Sequence, residues 1–81
     1  MVTPRWPFKV TRDGNVIERA TGVRVGRVLL HREDGWVGHV RQDRFGGGAS
    51  WADDRVWVLH DNSRRGAARA VWNEYVRRRQ A

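Results

Sequence analysis

The clearest pattern of apolar and polar positions in the chain runs from residue 55 to residue 76. Side chains alternate over residues 55–60, with Val56 and Val58 on one face and Arg55 and Trp57 on the other, which predicts a β-strand. Asp61, Asn62 and Ser63 then offer side chains that cap helix N-termini. Apolar residues next recur at helical spacing, which predicts an amphipathic helix over residues 63–79. Its apolar stripe comprises Ala67, Ala68, Val71, Trp72, Tyr75 and Val76.

Two further strands are predicted over residues 23–32 and 36–41. The intervening Glu33-Asp34-Gly35 is typical of a type I turn followed by a bulge. Such a turn pairs Arg32 with Trp36, and the same register pairs Leu30 with Gly38 and Val28 with Val40. Because directly opposed residues share a face, one face is predicted to carry Val28, Leu30, Trp36 and Val40. The other face is predicted to carry Arg27, Leu29, His31, Val37, His39 and Arg41.

Glycine and proline punctuate the rest of the chain. Asp13-Gly14 predicts a hairpin over residues 8–20, although the pattern does not define its register or inner face. Residues 1–7, with two prolines around Trp6, are expected to form an extended arm. Gly26 is interpreted as a bulge because Val23 and Val25 are out of phase with the positions that follow. Residues 42–54 are a predicted Gly-rich loop without the Lys-Ser/Thr of a phosphate-binding loop.

Together these elements predict one domain of the α+β class. Three main antiparallel strands within residues 23–60, with the N-terminal hairpin added, pack on one C-terminal helix and leave the other face open. The Arg77-Arg78-Arg79 run is expected to extend beyond the core, where its charge suits a helix C-terminus.

The charge of the chain indicates a polyanionic partner. Its 81 residues have a net charge of +7, which favours nucleic-acid binding. The alternative is codon bias, since Lys9 is the only lysine among 16 basic residues. With no cysteine, no long apolar run and no apolar signal-peptide core near the N-terminus, we expect no disulfide, no membrane span and a cytoplasmic location.

The pattern of polar residues does not favour catalysis. His31 and His39 lie on neighbouring predicted strands and His60 on the opposite face, and no cysteine or glutamate completes a metal site. Asp53-Asp54 lacks the second carboxylate or histidine that a hydrolytic site would need. We therefore expect neither enzymatic activity nor a cofactor.

The segment RVWVLHDNSRRGAARA resembles the strand-to-helix segment of the ethylene-response-factor (Apetala-two) type DNA-binding domain, in which a pattern like RVWLGTFDTAEEAARA is usual. Arg55-Val56-Trp57 and the Ala67-Ala68-Arg69-Ala70 run coincide with it without a gap, and Ser63 falls on its threonine. Residues 36–41, WVGHVR, resemble its preceding strand, WAAEIR. The resemblance spans about residues 23–72, and the arm-binding domains of phage and transposon integrases share the same plan.

The resemblance implies that the open sheet face enters the DNA major groove. Arg41, Arg55 and Trp57 would then contact DNA, with His39 at a position where the family has glutamate. From the residues alone, we expect Arg27, Arg41 and Arg55 to neutralise phosphates and Trp57 to contact a base or sugar. Arg64 and Arg65, at the helix N-terminus, are expected to add phosphate contacts.

The sequence therefore predicts a small protein that binds double-stranded DNA. Its expected setting is transcription regulation or recombination in a phage or mobile element. The alternative is a phage-type module that binds a host protein, using the same face or Trp6 and Trp51 as aromatic anchors. Trp51 itself is open to two interpretations, a plug at the sheet edge or an exposed stacking group.

Overall fold

The computed structural model of the chain describes residues 6–41 and 53–80. Five strands, β1 (Phe8–Val10), β2 (Asn15–Glu18), β3 (Arg24–His31), β4 (Gly35–Arg41) and β5 (Asp53–Val56), precede one helix, α1 (Arg64–Gln80). They form one antiparallel sheet in chain order, and α1 packs on one of its faces. The predicted α+β class is confirmed. The N-terminal hairpin is continuous with the other three strands rather than an addition to them.

Some sequence predictions lie outside the described residues. These are most of the expected arm, the Gly-rich part of the predicted loop, and Trp51. None of the helical structure in residues 6–41 and 53–80 has both the length and the apolar composition that spanning a bilayer requires.

The β3–β4 pairing corrects the predicted register. His31 lies opposite Gly35, and Leu30 opposite Trp36, so the loop comprises residues 32–34 instead of 33–35. Gly35, whose φ of 76° favours glycine, is the first residue of β4 and not the last residue of the turn. The predicted pairing was wrong by two residues. Because side chains alternate with a period of two, this displacement left both predicted faces unchanged.

A bulge in β3 explains the phase change that the sequence shows around Gly26. Val16 pairs with Gly26 and Ile17 with Arg24, so Val25 is the extra residue on β3. Val25 belongs to the buried core, on the same side as Gly26, which faces Val71 of the helix. An extra residue in one strand produces this local change of phase. The bulge expected at Gly26 is therefore present, with the neighbouring Val25 as its extra residue.

The strand predicted over residues 55–60 is displaced towards the N-terminus. β5 already includes Asp53 and Asp54, which were expected in the loop, and it ends at Val56. Beyond it the chain bends towards the helix, with a positive φ of 72° at His60. The bend ends at the helix cap, where the Gly66 backbone N–H donates to Ser63 Oγ at 2.9 Å. The predicted capping role of Ser63 is confirmed.

The core lies between α1 and the inner face of the sheet. Its buried side chains come from all five strands and the helix, and the cluster comprises Phe8, Val16, Val25, Val28, Val40, Val56, Ala67, Ala68 and Val71. Trp36, Trp72 and Tyr75 are half-buried against it, as expected for their predicted faces. Leu30 was wrongly expected in the core. It is 66% exposed, because β3 continues past the end of the cluster at Val28.

The C-terminal end of α1 is attached to the sheet by charged groups. Glu18, only 6% exposed, accepts from Arg79 at 2.8 Å and from the Tyr75 hydroxyl at 3.4 Å. Arg78 pairs with Asp54 at 3.1 Å. The arginine run lies outside the core as expected, since its three residues are exposed, but Arg78 and Arg79 also contact residues of the sheet.

Candidate nucleic-acid interface

A row of three basic side chains crosses the sheet on the face opposite α1. Arg27 of β3 lies directly opposite His39 of β4, which lies directly opposite Arg55 of β5. The next row, with Val28 and Val56 on either side of Gly38, belongs to the core side. Alternation therefore directs the basic row away from the helix. We call Arg27, His39 and Arg55 the basic row.

The members of the basic row differ in exposure. Arg27 and Arg55 are exposed, whereas His39 between them is half-buried. Side chains directly opposed on neighbouring antiparallel strands have Cβ atoms about 4.5–5.5 Å apart. The three groups can therefore act on one ligand together.

Arg55 forms an ion pair within the same region of the molecule. Its guanidinium lies 3.1 Å from the Asp34 carboxylate in the β3–β4 turn, and both side chains are about half exposed, at 61% and 49%. A pair this exposed contributes about 0–1 kcal/mol to stability. An incoming phosphate can therefore replace Asp34 at little cost to folding.

Several other residues that were predicted on this face are more buried than its expected openness implied. Arg41 is half-buried, and its guanidinium donates to the Arg24 backbone carbonyl at 3.1 Å. Val37, 3% exposed, and the half-buried Leu29 lie opposite each other next to the basic row. His31 is exposed, and its ring centroid is 6.3 Å from that of His39. On this face Arg27, His31 and Arg55 are thus exposed, whereas Val37 is buried.

Trp57 lies beyond the end of β5, at the edge of the sheet, and is 86% exposed. Together with Arg55 it lines a groove of about 740 Å³ whose opposite wall is α1. We call this space the helix groove. The sequence placed Trp57 in a strand on the open face, whereas the structure brings it next to helix residues.

The two arginines predicted to bind phosphate at the helix N-terminus have different surroundings. Arg64 is half-buried and donates to the carbonyls of Thr11 and Arg12 in the β1–β2 turn. These contacts give it a structural role, because they join the helix start to the first hairpin. Arg65 is exposed and lies over the Trp6 ring, 5.2 Å from its centroid.

Arg69 was not singled out by sequence reasoning. It lies over the same Trp6 ring at 5.2 Å, one helical turn after Arg65. Trp6 also contacts Phe8, with ring centroids 5.0 Å apart. Trp6 is therefore half-buried and held against the domain, which leaves little of it to act as an anchor for a partner. The i, i+4 spacing of the two arginines was the available signal, but their aromatic contact depends on the fold.

The arginines at the end of α1 are occupied by carboxylates. Arg77 donates to both oxygens of Glu74, at 2.5 and 2.8 Å, and this hydrogen bonding lowers the pKa of the Glu74 carboxyl below its usual value. Hydrogen bonds to Tyr75 and then Glu18 raise the pKa of the Arg79 guanidinium. In residues 6–41 and 53–80, Arg65 and Arg69 have no carboxylate at ion-pair distance.

Comparison of the chain with protein-family models, with curated proteins and with solved structures gave no match. The resemblance to ethylene-response-factor domains therefore rests on the sequence segments described above. Within the two described ranges, no group of three or more histidine, aspartate or glutamate side chains is arranged to hold a metal ion.

Proposed function

We propose that this domain binds double-stranded DNA through the sheet face opposite α1. The observation that carries the proposal is the alignment of Arg27, His39 and Arg55 in one row across three strands. The net charge of +7 supplies the long-range attraction for a polyanion. Phosphate neutralisation contributes much of the affinity of such proteins, and base contacts contribute the specificity.

The dimensions of the row suit a DNA groove. Neighbouring strands lie about 4.8 Å apart, so the backbones that carry Arg27 and Arg55 are separated by about 10 Å. The major groove is about 12 Å wide and admits a β-ribbon. Arginine binds phosphate or pairs with the O6 and N7 atoms of guanine. We assign Arg27 and Arg55 to these contacts, His39 to a contact between them, and Arg41 to the margin of the interface.

The biological setting that we propose is regulation of transcription or assistance to recombination in a phage or mobile element. The second candidate function is binding of a host protein. It is favoured by the exposed apolar surface of Trp57 and Leu59, which are 86% and 68% exposed, since such pairs mark contact sites. The two functions differ in their response to salt, because duplex binding weakens steeply as salt rises.

The test uses fluorescence anisotropy of a labelled blunt duplex over a range of salt concentrations. The double variant Arg27→Ala, Arg55→Ala removes two charges from the basic row. Its matched control, Arg12→Ala with Arg19→Ala, removes two exposed charges elsewhere. If both row arginines bind phosphate, the slope of log K against log salt shrinks by about 1.8 in the row variant. Loss of site preference with an unchanged slope would instead assign them to bases.

Equal losses in the row variant and its control would contradict the proposal. They would show that affinity follows total charge and not the position of the arginines. Full duplex affinity in the row variant, with an unchanged melting temperature, would favour the host-protein alternative.

A further inference from the structure

The helix groove is a second surface, which adjoins the basic row and shares Arg55 with it. One wall is the segment after β5, with Trp57 and Leu59 both strongly exposed. The other wall is the solvent side of α1, including Arg65 and Arg69. An indole so exposed, at the edge of an open groove, offers a flat apolar surface to a partner.

The positive charge of the groove is not balanced on the helix. Arg65 and Arg69 stack on Trp6 and have no carboxylate partner among the described residues. A guanidinium stacked on an indole keeps its N–H donors at the ring edge for other acceptors. Glu74 also lines the groove, but its charge is compensated by Arg77 and Arg78. Exposed Asp61 is the other acid of the lining.

We infer that the helix groove binds single-stranded nucleic acid, with a base stacked on Trp57 and backbone phosphates bound by Arg65 and Arg69. An exposed aromatic ring beside cations that have no carboxylate partner among the described residues is the combination that single-strand binding uses, because every base has a face for stacking and every linkage has a charge. The inference rests on the proposed function, since Arg55 belongs to both the basic row and the groove lining. A duplex on the sheet face can therefore continue into an unpaired strand in the groove.

The test measures anisotropy of fluorescein-labelled dT12 with four variants. We expect Trp57→Ala to weaken binding of dT12 about tenfold without changing the salt slope, and Trp57→Phe to restore most of the loss. Leu30→Ala is the matched control, an exposed apolar residue that is not part of the groove lining, and should leave affinity unchanged. Arg65→Gln with Arg69→Gln should reduce the slope by about 1.4, at roughly 0.7 per phosphate on single strands.

Three results would overturn the inference. The first is no binding of dT12 by the wild-type chain at low salt. The second is full affinity in Trp57→Ala. The third is an equal loss in Leu30→Ala, which would show that the loss does not depend on the groove. Trp57 is so exposed that its variants should keep the wild-type melting temperature, so loss of folding does not obscure the result.

Failure of the two proposals can be told apart. If the blunt duplex does not bind, whereas dT12 binds in a manner that depends on Trp57, the duplex-binding proposal fails and the groove site stands. If the row variant loses duplex affinity, whereas Trp57→Ala leaves the affinity for dT12 unchanged, only the groove inference fails.

Discussion

Val71 of the helix lies directly against Gly38 of the central part of the sheet. A Cβ atom added to Gly38 would lie 2.8 Å from Val71 Cγ2 and 2.8 Å from the Ala67 carbonyl oxygen. Gly26, on the neighbouring strand, makes the same kind of close approach to Val71. The absence of side chains at Gly26 and Gly38 thus leaves the space that Val71 occupies, and it allows the helix backbone to lie close to β4.

Gly38→Ala should therefore destabilise the domain. The added methyl group must displace the helix, at a cost of about 1–3 kcal/mol, which a urea or thermal melt would detect. In combination with Val71→Ala, the loss should be smaller than the sum of the two single losses, because one of the two clashes is removed. Strict additivity in this cycle would contradict the contact.

Asn62 connects the helix start to the β3–β4 turn. Its Oδ1 accepts from the Trp36 N–H at 3.0 Å, and its Nδ2 donates to the carbonyls of Asp34 and Trp36 at 3.2 and 3.3 Å. Asn62→Ala should cost about 1–2 kcal/mol, given the ordinary net value of such bonds. Asp61→Ala is the neighbouring control. Equal thermal stability of the two variants would show that Asn62 does not hold the turn.

Glu18 is a buried carboxylate that depends on the end of the helix. It accepts from Thr21, Tyr75 and Arg79, so Glu18→Ala should cost on the order of 2 kcal/mol. Arg79→Ala should lower the melting temperature, whereas Arg77→Ala, which removes a contact only within the helix, should lower it less. Removing residues 77–81 should therefore weaken the fold. A truncated chain as stable as the wild type would contradict this role of Arg79.

The Glu74 carboxyl predicts an acid dependence of stability. Hydrogen bonding to Arg77 lowers its pKa in the folded state below the ordinary value of 4.5. Its contribution is therefore present above the unfolded-state pKa and is lost as pH falls through the lower folded-state pKa. Melting temperatures from pH 7 to about pH 3 should decline less steeply in Glu74→Gln than in wild type. Parallel curves of melting temperature against pH for the two proteins would show that the Glu74–Arg77 pair does not contribute to the loss of stability in acid.

Much of the fold follows from the pattern of the chain, and the errors have identifiable causes. The faces of β3 and β4 were predicted correctly even though the register was displaced by two residues. The register depends on where pairing resumes after the turn. Gly35 pairs with His31, and the Glu33-Asp34-Gly35 pattern does not distinguish a glycine that ends the turn from one that begins the strand. The end of β5 was misplaced because alternation continues through residue 60 while hydrogen-bonded pairing stops at Val56.

The candidate site likewise has some features that the sequence predicts and others that it does not. Alternation was enough to put Arg27, His39 and Arg55 on one face, because backbone stereochemistry directs neighbouring side chains to opposite sides. The start of the helix at Ser63 was also predictable, since capping is a contact between residues three apart. These features are local, and a local pattern determines them.

Only the tertiary structure decided which charges are occupied and which are available. Arg64 reaches carbonyls more than 50 residues away, Arg79 pairs with Glu18 across 61 positions, and Arg65 and Arg69 meet Trp6 from the start of the chain. Composition shows these arginines only as equal contributors to the net charge. The physical reason is that a hydrogen bond or an ion pair needs two groups within a few ångströms, and chain packing sets that distance. The same packing places Trp57 beyond the end of β5, where it lines the helix groove.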